Sequence, residues 1–128
     1  MEAIVYTSKC GHTMVYAKAL SQELNVPYYT IKEAKKILPK GSNILYMGWV
    51  RENKIVKYNK VLRYHIECVV AVGIMPASLE RIGMVKEFNQ IYAKLYYLPG
   101  GIRKKRLGLR NRIVLHSIES EMSFKLLD

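Results

Sequence analysis

Long apolar runs and cysteine are what this sequence most clearly lacks. No apolar stretch approaches the ~20 residues that a helix needs to cross a bilayer. The first residues, Met1 to Val5, have neither the basic flank nor the long apolar region of a secretory signal. The only cysteines, Cys10 and Cys68, have no metal-site spacing and are too few for a disulfide framework. We therefore expect a cytoplasmic protein without disulfides or a metal site.

Acidic residues are also scarce. The chain has 21 Lys and Arg against 10 Asp and Glu, a formal net charge of +11, and such a balance attracts anionic partners. One basic stretch, from Arg103 to Arg112, contains no acidic residue. We expect an acidic partner protein or an anionic small molecule to bind there, with peripheral membrane contact ranked lower and a plain solvated surface as the simplest alternative. The predicted partner-binding residues are Arg103, Lys104, Lys105 and Arg106.

Apolar periodicity alternates between strand-like and helix-like segments. Apolar, β-branched or aromatic runs predict five strands, at Ala3–Tyr6, Tyr28–Ile31, Asn43–Gly48, Glu67–Gly73 and Leu95–Leu98. Amphipathic patterns predict helices over Thr13–Leu24, Ile55–Tyr64, Leu79–Ile91 and Val114–Met122. The segment Lys32–Lys36 fits either a short helix or a solvated loop. This alternation predicts a parallel sheet covered on both faces, and the length of 128 residues predicts one domain, 1–128.

The loop between the first strand and the first helix is rich in hydroxyl groups and amides. Ser8 and Thr13 supply hydroxyl donors, and Gly11 lets the backbone approach a ligand without an obstructing Cβ. Unpaired N–H groups at a helix start, together with the positive end of the helix dipole, suit a phosphate. The sequence therefore predicts a phosphate site here, although a plain helix cap would use the same residue types.

This loop resembles the phosphate loop of flavodoxins. The resemblance rests on Ile4-Val5-Tyr6-Thr7-Ser8 followed by Gly11, Thr13, Ala17 and Leu20. The wider chain resembles the short flavodoxin-domain family that includes the menaquinone-dependent protoporphyrinogen oxidases, in which Ser-Lys-x-Gly-x-Thr is common. It implies an α/β, flavodoxin-like three-layer sandwich with a five-stranded parallel sheet of order 2-1-3-4-5. It also implies FMN as the cofactor, with its phosphate held by Ser8, Lys9, Cys10, Gly11, His12 and Thr13.

Two further loops lie at the same edge of such a sheet, where open α/β folds bind ligands. The resemblance implies that both hold the isoalloxazine ring of FMN. Trp49 would stack on that ring, or else pack against the next helix, and the loop after Gly73 would bind the ring or form a simple turn. The residues predicted for these loops are Met47, Gly48, Trp49 and Val50, and Gly73, Ile74 and Met75.

The resemblance implies electron transfer, with the flavin performing the redox chemistry and an acidic oxidoreductase as partner. A tetrapyrrole such as a bilin or porphyrin is the substrate class by analogy. The relatives with protoporphyrinogen oxidase activity carry an extra segment near the last helix that this chain lacks, which disfavours that activity. The alternative is a flavin-free binding module that uses its basic face for an acidic partner, a nucleic acid or a membrane surface. Nucleic acid is not favoured, because tyrosine pairs such as Tyr28-Tyr29 fit half-buried strands.

Overall fold

The computed structural model describes residues 1–8, 12–73 and 78–99. The strands are β1 (Ala3–Tyr6), β2 (Tyr28–Thr30), β3 (Asn43–Arg51), β4 (Lys54–Ile55), β5 (His65–Gly73) and β6 (Lys94–Pro99). The helices are α1 (His12–Leu24), α2 (Ile31–Ile37) and α3 (Leu79–Phe88), with a 3₁₀ turn at Tyr58–Lys60. The predicted last helix, Val114–Met122, lies outside the described residues, and the single domain 1–128 stays a prediction.

The strands form one sheet in the order β2-β1-β3-β5-β6, and these five run parallel. The sixth strand, β4, pairs antiparallel with the end of β3. The α/β class and the parallel sheet are therefore confirmed. The five predicted strands correspond to β1, β2, β3, β5 and β6 and keep their predicted relative order, but the sheet has six strands, so the count of five is wrong. The difference arises because β3 continues to Arg51 and then turns back on itself.

Side chains alternate between the two faces of the sheet, and each face has its own core. On one face, α1 packs over residues such as Ile4, Leu45 and Val70. On the other face, α2, α3 and the segment between β3 and β5 cover residues such as Val5 and Val69. All four residues of β1 are buried, as expected for a central parallel strand covered on both sides.

The short helix α2 settles the alternative that the sequence left open for Lys32–Lys36. Thr30 begins it with a capping box: its hydroxyl accepts from the Glu33 N–H at 3.2 Å, and its own N–H donates to Glu33 Oε1 at 2.9 Å. The hydrogen bond from the Thr30 N–H to the Glu33 carboxylate, assisted by the Thr30 hydroxyl, holds the pKa of Glu33 below its usual value. No helix in the described ranges has the length and apolar character needed to cross a membrane.

The prediction of an α-helix over Ile55–Tyr64 is wrong. The segment begins with β4 and continues through the 3₁₀ turn to β5. The N–H groups of Lys60, Val61 and Tyr64 each donate to the carbonyl three residues earlier, at 2.9, 3.1 and 3.0 Å. The connection from β3 to β5, residues 52–64, which we call the crossover, is thus built from a hairpin and three-residue turns.

The spacing of apolar residues explains this difference. Ile55, Tyr58, Val61 and Tyr64 recur at intervals of three. In an α-helix, with about 100° per residue, each step of three moves about 60° around the axis, so four such residues do not share a narrow face. Here Ile55 belongs to β4, and in the turns that follow, closed by bonds between residues three apart, Tyr58, Val61 and Tyr64 lie one above another. Ile55, Val61 and Tyr64 are accordingly buried and Tyr58 is half-buried.

Candidate functional site

The carboxyl edge of the sheet contains a topological switch point between β1 and β3. The chain leaves β1 through α1 to reach β2 on one side, and then returns through α2 to β3 on the other side. In open α/β sheets, the crevice outside the strand ends at such a point is where ligands bind. The candidate site is therefore the edge formed by the ends of β1, β3 and β5.

The N-terminus of α1 lies at this edge. The helix begins at His12 and runs for 13 residues, and its first turn contains no acidic residue. Thr13 in that turn is only 1 % exposed, while Ser8, two residues beyond β1, is half-buried. A helix start with hydroxyls and no carboxylate favours an anion. The remaining predicted phosphate residues, Lys9, Cys10 and Gly11, lie outside the described residues.

Thr7 ties the end of β1 to the neighbouring strand and to the crossover. Its N–H donates to the Met47 carbonyl at 3.0 Å. Its hydroxyl lies 2.9 Å from the Tyr46 hydroxyl, which donates to the Val56 carbonyl at 2.6 Å. With the Tyr46 proton directed at Val56, the phenol oxygen accepts from Thr7. The backbone at the start of the predicted phosphate loop is therefore fixed from two directions.

Tyr46 is fully buried, and burial raises its pKa to about 12, although the hydrogen bond from Thr7 acts in the opposite direction. The phenol is therefore neutral at physiological pH and serves as a hydrogen-bond donor. The sequence identified Tyr46 only as a strand residue. No local signal reveals a side-chain partner 39 positions away, so this residue of the site was missed.

Met47, Gly48, Trp49 and Val50 lie in β3, so the prediction that they form a loop after that strand is wrong. Met47 is fully buried against the α1 face, and Val50 packs in the opposite core beside Ile55. Trp49 is half-buried and lies opposite Val72 of β5, one residue before Gly73. Trp49 and Gly73 thus come together at the candidate edge.

A tight hairpin follows β3. Glu52 and Asn53 both have positive φ, 50° and 66°, as a two-residue turn between twisted antiparallel strands requires. Asn89, which ends α3, accepts from the Ile55 N–H at 3.0 Å and donates to the Asn53 carbonyl at 2.8 Å. Arg81 Nη1 also donates to Asn53 Oδ1 at 3.3 Å. The hairpin is therefore held against α3.

Of the three predicted site glycines, the structure describes Gly48 and Gly73, and a neighbouring side chain lies close to each of these two. A Cβ on Gly48 would lie 2.8 Å from Ile55 Cγ2 and 2.9 Å from Tyr46 Cε2, and a Cβ on Gly73 would overlap the Tyr97 hydroxyl. Burial raises the pKa of Tyr97, and the positive charge of Arg81 partly offsets this. A neutral phenol therefore covers Gly73. A role for these glycines in cofactor binding stays a prediction.

The structure brings Ser8, Trp49 and Gly73 to the carboxyl ends of three adjacent strands. The site residues Ile74 and Met75 lie outside the described residues, as does the whole predicted partner-binding stretch, Arg103, Lys104, Lys105 and Arg106.

Comparison with known proteins identifies the fold. No protein-family model matches the chain, and no curated protein matches it in sequence. Solved structures do match. One of them is titled as the structure of a flavodoxin from the domain Archaea, with a TM-score of 0.55 and 13 % sequence identity over 100 % of both chains. The chain therefore has a flavodoxin-like α/β fold.

Proposed function

We propose that this chain binds FMN at the carboxyl edge of its sheet and transfers electrons through it. The observation that carries the proposal is the start of α1. This helix begins at the switch point, has Thr13 in its first turn, follows Ser8 closely and has no carboxylate to repel a phosphate. The likeness in fold to an archaeal flavodoxin supports the same cofactor.

The described residues fit the chemistry of FMN. Ser8, Thr13 and the N–H groups of α1 would hold the phosphate, together with Lys9 and Gly11 by the sequence motif. Trp49 and Gly73 would border the ring, because they close adjacent strands at the same edge. When bound, FMN supplies one- and two-electron chemistry.

The surrounding side chains suit binding more than acid–base chemistry. Tyr46 and Tyr97 have raised pKa values because they are buried, so both phenols stay neutral at physiological pH. Trp49 is half-buried near the end of β3, where its ring would shield a bound flavin from water. The chain thus positions and shields a ligand at this edge.

The phosphate can be tested separately from the ring by titrating the protein with FMN and with riboflavin and following flavin fluorescence. A charge-assisted phosphate site predicts FMN binding about tenfold to a hundredfold tighter than riboflavin. Ser8→Ala should lower FMN affinity about tenfold and leave riboflavin unchanged. Ser42→Ala is the matched control, since its hydroxyl donates to the Pro39 carbonyl beside the amino end of β3. Equal affinity for both flavins would contradict the proposal.

A second candidate function is a flavin-free binding module. One observation favours it: Met47–Val50 are fixed in β3 and its hairpin instead of forming an open loop at the site. A colourless protein that rejects FMN but binds an anionic partner in a salt-dependent way would support this function.

The finer assignments rest on the sequence alone. We propose an acidic oxidoreductase as the partner because of the net charge of +11. A tetrapyrrole substrate follows only from the resemblance to the short flavodoxin-domain family. Reduction of the flavin by candidate donors, followed spectroscopically, tests the first of these assignments, and turnover of a porphyrin or bilin tests the second.

A further inference from the structure

A line of basic residues follows the crossover. Lys54, Lys57, Lys60 and Arg63 recur at intervals of three, and each is exposed. Each stands one residue before a member of the inward-facing apolar series in the same segment. We call these four residues the basic stripe. In the sequence it precedes the basic stretch that begins at Arg103.

The turns of the crossover bring three members of the stripe onto one short segment. The N–H groups of Lys60, Val61 and Tyr64 close successive turns between Lys57 and Tyr64, a segment that contains Lys57, Lys60 and Arg63. Lys54 precedes these turns in β4. Buried anchors at Ile55 and Val61 fix the backbone beneath them.

The charges of the stripe are not neutralised locally. The sequence has no Asp or Glu between Asn53 and Ile66. None of the four side chains forms an ion pair with another residue in the described ranges. Like charges on one short segment repel each other, and an acidic surface placed against them would offset that repulsion.

The stripe runs from the carboxyl ends of the parallel strands towards their amino ends. At its start, the Val56 carbonyl accepts from Tyr46, which also contacts Thr7 at the candidate site. At its end, the Arg63 carbonyl accepts from the Gly41 N–H at 3.0 Å, close to the amino end of β3. A partner lying along the stripe therefore reaches the carboxyl edge beside Thr7.

The neighbouring side chains favour a protein over a nucleic acid. Leu62 is 59 % exposed and stands between Lys60 and Arg63, so an apolar contact is surrounded by charge, as in protein interfaces. The two tyrosines of the crossover, Tyr58 and Tyr64, are directed into the core. They are not available for the base stacking that single-stranded nucleic acids require.

We propose that the basic stripe, with the exposed Leu62 between its last two members, is the docking surface for an acidic protein partner. Docking depends on charge and shape and not on a bound flavin, so the proposal stands independently of the FMN assignment. Its readout is affinity, which is measured whether or not the protein is coloured.

The test compares two triple variants of the full chain with equal net charge. One is Lys54→Gln, Lys57→Gln and Lys60→Gln, and the matched control is Lys18→Gln, Lys32→Gln and Lys86→Gln, in which all three lysines are exposed on the helices. Two labelled probes are titrated by fluorescence anisotropy: a polyglutamate peptide with a central leucine, and an oligothymidylate of similar length. Circular dichroism confirms that each variant is folded.

The stripe variant should bind the peptide about tenfold more weakly than the unchanged protein, and the control less than about threefold more weakly. Leu62→Ser should weaken binding of the peptide and leave that of the oligothymidylate unchanged. Equal losses in the two triple variants would show that only net charge matters and would overturn the proposal. So would a failure to bind the peptide, or a stripe whose removal weakens the oligothymidylate more than the peptide.

Discussion

Two of the connections between parallel strands, the one from β1 to β2 and the one from β3 to β5, have very different backbones. Between β1 and β2 it uses α1, an amphipathic helix that buries Tyr16, Ala17 and Leu20. Between β3 and β5 it uses a hairpin and three-residue turns, which bury Ile55 and Val61 as completely. Parallel strands need a crossover that covers the sheet, and the difference teaches that any backbone with a buried apolar row meets that need.

The largest expected effects come from substitutions that test whether α1 and the crossover both contribute buried side chains to the hydrophobic core. Leu20→Ala in α1 should lower the free energy of unfolding by about 3 kcal/mol and Val61→Ala in the crossover by about 2 kcal/mol, because both side chains are fully buried. Urea denaturation measures both values. Leu62→Ala, at an exposed position of the crossover, should change it by less than about 0.5 kcal/mol. A loss for Val61→Ala as small as that of the control would show that the crossover is a loose loop.

A second comparison concerns the close approach of the hairpin to β3. Gly48→Ala should cost about 2 kcal/mol, because the new Cβ would meet the buried Ile55 and Tyr46 side chains. Gly83→Ala in α3 is the control. A Cβ on Gly83 would have no neighbouring atom within 4 Å, so this substitution should stabilise the protein by about 0.5 kcal/mol through helix propensity. Thermal unfolding of both variants gives the answer, and a neutral Gly48→Ala would argue against close packing of the hairpin on β3.

The attachment of the hairpin to α3 should have a smaller effect. Asn89→Ala removes the hydrogen bonds to Ile55 and Asn53 and should cost about 1.5 kcal/mol. Asn59→Ala, at an exposed position in the 3₁₀ turn, should cost less than about 0.5 kcal/mol. Hydrogen exchange should show faster exchange of the Ile55 amide in the first variant alone. Unchanged protection of that amide would indicate that the hairpin does not depend on Asn89.

Tyr46 joins the end of β1 to the crossover through its hydrogen bonds with Thr7 and Val56, and this link should depend on pH. Tyr46→Phe should cost about 1 kcal/mol at neutral pH, because the Val56 carbonyl loses the shorter of its two side-chain hydrogen bonds. The folded pKa of about 12 exceeds the unfolded value near 10, so the unfolded state releases its proton first. The contribution of the Tyr46 hydroxyl to the free energy of unfolding is therefore complete below about pH 10 and is lost as the pH rises towards about 12. The difference between the two proteins should therefore narrow over that range, and a constant difference would contradict the pKa shift.

The smallest expected effect lies in the hairpin turn. Glu52 has a left-handed conformation that glycine adopts without steric cost, so Glu52→Gly should stabilise the protein by about 0.5 kcal/mol. Glu87→Gly in α3 should instead destabilise it by about 1 kcal/mol, because glycine is unfavourable within a helix. Chemical denaturation of both variants distinguishes the two backbone environments. Destabilisation by Glu52→Gly would contradict the turn geometry.

The sequence predicted those parts of the fold whose periodicity matches a regular element. β1 and α1 follow the expected strand and 3.6-residue patterns, and the structure places them within one residue of the predicted bounds. The prediction for the crossover was wrong because the three-residue period of its apolar residues was interpreted as an α-helix. The predicted end of β3 was too early, because the turn at Glu52-Asn53 that follows the strand is less recognisable in sequence than a turn containing glycine.

The site was predictable to a similar extent. The motif placed Ser8 and Thr13 at a helix start beside the switch point, because the information is local. The link from Thr7 through Tyr46 to Val56 depends on residues that come together only in the folded sheet. The side chains that fill the space beside Gly48 and Gly73 come from other strands for the same reason.

The most direct test of the central claim is the visible absorbance spectrum of the purified protein after addition of FMN and then of dithionite. We expect a protein-bound flavin spectrum that bleaches on reduction and returns when an electron acceptor is added. A protein that leaves the FMN spectrum unchanged, and from which FMN separates completely on gel filtration, would contradict it.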